Sequence, residues 1–213
     1  MIERNRESVE TYNKSADNYQ AKFMSMDLYN DTYDKFCELI QPLKANILEI
    51  ACGPGNVTKY LLNKRRDLNI LGVDLASNMV KLSKRNNPNA DFKILDCREI
   101  SKIDKKFDAV MCGFCMPYLS DSECEKLILD SSKILNRKGV IYISTMEDNP
   151  EKSGYELTSF SGKNRVYIYY RKAEFLNNIL TKYEFEILDL QRKKYPEPDG
   201  TFLTDMIFIA RKK

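Results

Sequence analysis

The 213 residues are 43% hydrophobic and 31% charged, the balance of a globular chain rather than a disordered one. A chain of this length buries about 70% of its unfolded surface and needs neither disulfides nor a metal to fold as one domain. Lys and Arg number 34 against 31 Asp and Glu, a net +3 that is too slight to argue for a nucleic-acid or anionic-membrane partner. There is no histidine, which excludes a Ser-His or Cys-His nucleophile, a His-ligated metal centre and an imidazole base.

The opening run Met1-Ile2-Glu3-Arg4-Asn5-Arg6-Glu7 is charged and lacks the apolar core of an export signal. No apolar stretch approaches the ~20 residues of a membrane span. On this reading Cys37, Cys52, Cys97, Cys112, Cys115 and Cys124 are reduced thiols of a cytoplasmic protein, not a disulfide framework. Cys112 and Cys115 form a C-x-x-C, but a zinc or redox centre would want a second pair or a thioredoxin-like context. They read as small residues at a strand end, and no metal is expected.

In chain order, the first 41 residues predict two amphipathic helices. Val9, Tyr12, Ala16, Tyr19 and Phe23 recur at helical spacing, as do Tyr29, Tyr33, Phe36, Cys37 and Ile40, and Pro42 marks the stop. From Ala45 short apolar runs alternate with helical patterns. Strands are predicted at 47–50, 69–73, 91–95, 107–112 and 140–143, with helices at 55–64, 76–85 and 123–135 between them. Ser77 reads as an early cap, and Ser120-x-x-Glu123 as a capping box. Such alternation predicts right-handed βαβ units and a parallel sheet. Beyond Ser144 the pattern is irregular up to an aromatic strand at Val166–Tyr170. A helix at 172–182 and β runs at 185–190 and 204–210 follow. The loop between those runs holds Pro196, Pro198 and Gly200, as a hairpin closing the sheet edge would.

The chemistry concentrates at Ile47-Leu48-Glu49-Ile50-Ala51-Cys52-Gly53-Pro54-Gly55-Asn56. A buried strand delivers an acid and then a turn whose two glycines, Gly53 and Gly55, let the backbone approach a ligand at the start of a helix. Asp74, at the end of the next strand, lies 21 residues beyond Gly53, where a doubly wound domain uses an acid to grip two ribose hydroxyls. As a strand-end carboxylate it is expected to add little to the fold itself. Asp96, after the third strand, can accept from an adenine amine.

At these residues the chain resembles the class I S-adenosylmethionine-dependent methyltransferases. The family's E-x-[GA]-C-G-x-G loop reads Glu49-Ile50-Ala51-Cys52-Gly53-Pro54-Gly55 here. The resemblance continues through Gly72-Val73-Asp74-Leu75-Ala76-Ser77-Asn78-Met79, Leu95-Asp96-Cys97 and Phe107-Asp108-Ala109-Val110-Met111-Cys112-Gly113, covering about residues 45–145. It implies a Rossmann-like α/β fold, a mainly parallel seven-stranded sheet with one antiparallel strand in the edge hairpin. It also implies S-adenosylmethionine as cofactor and S-adenosylhomocysteine as product. Asp74 would then hold the ribose, with Leu75 beside it. Met79 would pack near the adenine, Asp96 and Cys97 would lie beside it, and Cys112 would run under the methionine moiety. The Tyr12-x6-Tyr19 spacing is similar to that of members whose first helix folds over the cofactor, where an aromatic face favours a sulfonium.

The resulting expectation is a single methyltransferase domain. Residues 1–41 form a helical lid, 45–145 the cofactor core, 146–171 an acceptor-side insertion and 172–213 the closing helix and hairpin. The acceptor is expected to be a small molecule methylated on oxygen or nitrogen, with no nucleic acid or membrane involved. Enzymes of the family that methylate the amine of a base carry [ND]-P-P-[YF] after the fourth strand, whereas this chain has Cys115-Met116-Pro117-Tyr118. Tyr118, Tyr170 and Arg171 are the acceptor-pocket candidates, while Tyr167 and Tyr169 read as a strand face. Two alternatives stay open. One is a non-catalytic adenosylmethionine-binding sensor. The other is a nicotinamide-dependent oxidoreductase, against which Thr58 replaces the third small residue of G-x-G-x-x-G.

Overall fold

A computed structural model of the chain describes residues 3–197 and 199–213; Met1, Ile2 and Pro198 lie outside the described residues. Helices α1 (Glu3–Lys14) and α2 (Ala16–Phe23) precede α3 (Asn30–Leu39). Then come β1 (Asn46–Ile50), α4 (Asn56–Lys64), β2 (Asn69–Asp74), α5 (Ser77–Asn86), β3 (Asp91–Ile94), β4 (Phe107–Gly113), α6 (Asp121–Ile134) and β5 (Leu135–Glu147). A small pair, β6 (Gly154–Leu157) and β7 (Arg165–Ile168), is followed by α7 (Ala173–Lys182) and the hairpin β8 (Phe185–Pro196) and β9 (Phe202–Lys212).

Seven strands make one sheet in the order β3-β2-β1-β4-β5-β9-β8. The first five are parallel, and β9 enters antiparallel between β5 and its hairpin partner β8. The chain order reverses on either side of β1, so the crevice outside the ends of β1 and β4 is the switch point where such sheets bind ligands.

Both faces of the sheet are covered at its centre, which is why β1 and β4 and the inner parts of β5 and β9 are almost continuously buried, while the edge strands β3 and β8 are largely exposed or half-buried. Leu48, Ile50, Val110, Ile141 and Phe208 share one core with residues of α6 and α7, while Ile47, Met111, Tyr142, Ile207 and Phe36 share the other with residues of α3 and α4. Tyr142 is fully buried, and its hydroxyl is 2.9 Å from that of Thr32, so neither hydroxyl is stranded in that core.

The structure differs from the sequence expectation locally. The first predicted helix is two, broken at Ser15 (φ −107°, ψ 20°), although Tyr12 and Tyr19 still meet with ring centroids 5.7 Å apart. Ser77 does not cap α5. That helix borrows a cap from α1, because Asn13 Oδ1 accepts from the Asn78 amide at 2.8 Å. The capping box of α6 forms as read, with Ser120 N–H donating to Glu123 Oε2 at 2.8 Å and the Glu123 amide donating to Ser120 Oγ at 3.4 Å. The strand read at Val166–Tyr170 is β7, which pairs with β6 outside the main sheet.

Candidate functional site

The strand tips on the switch-point side open into a cavity of about 400 Å³. Across the sheet in hydrogen-bonded order they present Asp96 beyond β3, Asp74 at the end of β2, Glu49 near the end of β1 and Gly113 at the end of β4. Neighbouring strands lie about 4.8 Å apart, so the three strands that carry the acids span about 10 Å across the sheet. Ala51 (φ 53°) and Phe114 (φ 52°), just beyond the tips of β1 and β4, both take left-handed backbone. That conformation is costly for residues with a Cβ and clusters at functional sites.

Asp74 is held rather than free. Its Oδ2 accepts from the Gly53 amide at 2.9 Å and its Oδ1 from the Ala76 amide at 2.8 Å. The expectation that it contributes little to the fold is therefore corrected: it ties the turn after β1 to the turn after β2. Burial raises its pKa, and the amides of Ala76, Gly53 and Leu75 oppose the shift. A carboxylate has about four lone-pair sites, so acceptor capacity is left for a ligand's hydroxyls.

Glu49 is only 2% exposed and receives the Thr58 hydroxyl. Burial lifts its carboxyl to about 8. Thr58 thus has a definite task that the glycine-pattern reading missed. At the far end, burial pushes Asp96 up, but hydrogen bonds from Arg98 hold it below the usual carboxylate range. Arg98 Nε donates to Asp96 Oδ1 at 2.8 Å, and Nη1 donates to Glu123 Oε1 at 2.9 Å. Between Asp74 and Asp96 lies an apolar slot lined by Leu75, Met79, Leu95 and Cys97.

The two glycines separate. Gly53 lines the cavity, where a Cβ would lie 3.7 Å from the Tyr19 ring. Gly55 does not line it. Its φ of +80° and a Cβ position 2.3 Å from Asn87 Nδ2 make it a packing glycine against α5.

The roof is aromatic. Tyr12 and Tyr19 each lie 5.2 Å from the Phe160 ring, and the Tyr12 hydroxyl is hydrogen-bonded to that of Tyr118. Burial pushes Tyr118 up to about 12, so it is a neutral phenol lining the cavity. Three other expected site residues turn away. Cys112 packs in the sheet core, its free thiol hydrogen-bonded to that of Cys115. Tyr170 packs with Val166 and Ile168 and bonds Glu156. Arg171, 2% exposed, donates to the carbonyls of Met116 (3.0 Å) and Leu119 and pairs with Asp121 at 3.0 Å. Arg171 therefore pins the turn that carries Tyr118 instead of facing the cavity.

One pair escaped the sequence reading. Asp205, 2% exposed, lines the cavity and accepts from the Tyr29 hydroxyl at 2.6 Å. The available signal was an acid inside the apolar run Thr204–Ala210 of β9.

Residues 47–139 match the model of a methyltransferase domain family. The chain is 26% identical over 128 residues to a demethylmenaquinone methyltransferase of Thermotoga maritima, covering 60% of this chain and 51% of that protein. It is 25% identical over 167 residues to a tRNA (guanine-N(7)-)-methyltransferase of Clostridium botulinum, covering 68% of this chain and 77% of that protein. Among solved structures, the magnesium protoporphyrin IX methyltransferase of Synechocystis with bound SAM superposes with a TM-score of 0.73 at 14% identity. The match covers 100% of this chain and 99% of that one, and at that identity it establishes the fold. The chain spans 38%, 51% and 47% of the length of three curated relatives.

Proposed function

We infer that this chain, whose residues 47–139 match a methyltransferase domain family, is a class I S-adenosylmethionine-dependent methyltransferase that transfers the methyl group of that cofactor to an oxygen or nitrogen of a small molecule. The observation that carries the reading is the row of three acids on adjacent strand tips in one cavity. They fit the cofactor part by part. Asp74 offers its remaining acceptor capacity to the ribose hydroxyls. The slot of Leu75, Met79 and Cys97 takes the adenine, with Asp96 accepting from its amine. Glu49, Ala51 and Gly53 meet the zwitterionic amino-acid end, with Glu49 toward its ammonium.

The bound cofactor supplies an already activated methyl group, so the chain's residues chiefly position the acceptor and exclude water. Tyr12, Tyr19 and Phe160 close the site from above, an arrangement that favours an enclosed small acceptor. With no histidine in the chain, no pH–rate step near 6.5 should arise from an imidazole. The 213-residue chain incubated with deuteromethyl-labelled cofactor and a panel of small phenols, carboxylates and amines should release adenosylhomocysteine only when an acceptor is present. Retained cofactor with no transfer to any acceptor would favour a sensor instead.

Glu49 gives the binding step a pH dependence with a definite sign. Empty, it is protonated below about 8; a cation placed against it favours the carboxylate and expels the proton. Affinity should therefore rise from pH 6 to 8, with close to one proton released per site near pH 7. Glu49→Gln should abolish the release. Calorimetry in buffers of unlike ionisation enthalpy counts that proton, and a count of zero in the unmodified protein removes Glu49 from the cofactor site.

A further inference from the structure

The chain as a whole is slightly basic, at +3, but its cavity is acidic. Among the described residues, the ionisable ones lining it are Glu49, Asp74, Asp96, Glu156, Glu197 and Asp205 against the single cation Arg98, and Arg98 is engaged with Asp96 and Glu123. The first three acids face the cofactor in the reading above. The other three lie at the opposite end, on β9, on β6 and in the turn after β8.

Asp205 is the most confined of them. It stands opposite Met146 in the β5–β9 register, two strands past the tip of β4. Its Oδ2 takes the Tyr29 hydroxyl, and among the described residues no ion pair involves it. Lys193, its register partner on β8, is paired with Asp31 instead. Burial lifts the Asp205 carboxyl to about 6, which leaves it ionised at neutral pH. A buried carboxylate that faces a cavity without a cation is costly unless a ligand brings one. The walls suit the same ligand. Tyr29, whose hydroxyl Asp205 accepts, stands with its ring centroid 5.2 Å from that of Phe114, and both line the cavity; aromatic faces attract ammonium groups. Glu197, half-buried at the rim, adds negative potential toward the same end.

We propose that the acceptor is a small molecule bearing an ammonium group, and that Asp205, positioned by Tyr29 in a cavity that Phe114 also lines, is the residue that selects it. The proposal rests on the methyltransferase reading and specifies the acceptor class that reading leaves open. Anionic acceptors, carboxylates above all, would meet three acids and, among the described lining residues, no cationic side chain but the engaged Arg98.

The test loads the full chain with adenosylhomocysteine, which blocks turnover. It then titrates three sets of isosteres: 2-phenylethylamine, 2-phenylethanol and phenylacetate; hexylamine, hexanol and hexanoate; and cyclohexylmethylamine with its alcohol and acid. In at least one set the amine should bind at least tenfold more tightly than its alcohol and acid. Asp205→Asn should bring the three members within threefold of one another while adenosylhomocysteine affinity stays within twofold. If Asp205→Asn does not fold, Glu197→Gln at the rim should still cut the amine preference at least threefold. Equal binding within every set, a preference for the acid, binding of no member, or a tenfold loss of adenosylhomocysteine affinity in Asp205→Asn would overturn the proposal. Failure of the unmodified protein to bind adenosylhomocysteine at all would instead overturn the methyltransferase reading beneath it.

Discussion

Asp74→Ala should weaken adenosylmethionine binding at least tenfold and also lower the stability of the empty protein. Binding falls because two ligand hydroxyls lose a charged acceptor, a loss of roughly 1.5–3 kcal/mol. Stability falls because the Gly53 and Ala76 amides, 2.9 and 2.8 Å from the carboxylate, lose their partner and the two turns they belong to come apart. Each stranded amide costs about 1–3 kcal/mol where water cannot replace the bond. Asp74→Asn separates the two effects. It keeps one acceptor oxygen but turns an NH2 toward one of the amides, so it should bind the cofactor poorly while unfolding at a denaturant concentration between those of the Ala variant and the parent. Calorimetry on the folded variants and urea unfolding read the two quantities independently. Unchanged affinity in Asp74→Ala would take the residue out of the site.

Deleting residues 1–24 should leave the sheet folded and cut methyl transfer at least about a hundredfold, the scale of loss when reacting groups are no longer held in line. The two large core clusters contain no residue from this segment, so the sheet does not depend on it. The cavity does. The deletion removes Val9, Tyr12, Tyr19 and Phe23 from its lining, frees the Tyr118 hydroxyl and takes away the Asn13 cap of α5. Loss of a cap costs about 0.5–2 kcal/mol, and Ala76, Met79 and Leu82 lose their cover. Cofactor affinity should fall about tenfold as well, because α5 begins where the ribose and adenine residues stand. Turnover equal to that of the full chain would show that α1 and α2 are not a lid. An insoluble product would show that they are core.

The sheet was legible because its signals are local. Each βα unit carries its own apolar run, turn and helix stripe, and the reversal of chain order at β1 follows from packing such units on both faces. The acids at the tips of β1 and β2 and beyond β3 were legible for the same reason, since a strand end and the turn after it are adjacent in sequence. What was not legible depends on contacts across long separations. Asn13 caps a helix that starts 64 residues later, at Ser77, and Tyr29 bonds an acid 176 residues away. Arg171 illustrates the same limit from the other side. Its position at a strand end matched a pocket residue, but three carbonyls and Asp121 compete for its guanidinium, and only the fold places them within reach. Gly55 looked like a ligand-facing glycine because the pattern around it is that of a phosphate- or nucleoside-binding turn. The neighbour that requires it, Asn87, lies 32 residues on.

A crystal structure of the full chain with adenosylhomocysteine tests the central claim most directly. Both ribose hydroxyls should lie on Asp74, the adenine in the slot of Leu75, Met79 and Cys97 with its amine toward Asp96, and the amino-acid end against Glu49. The space between the cofactor sulfur and Asp205 should remain open for an acceptor. A ligand seated elsewhere, or one whose ribose leaves Asp74 bonded only to the Gly53 and Ala76 amides, would contradict it.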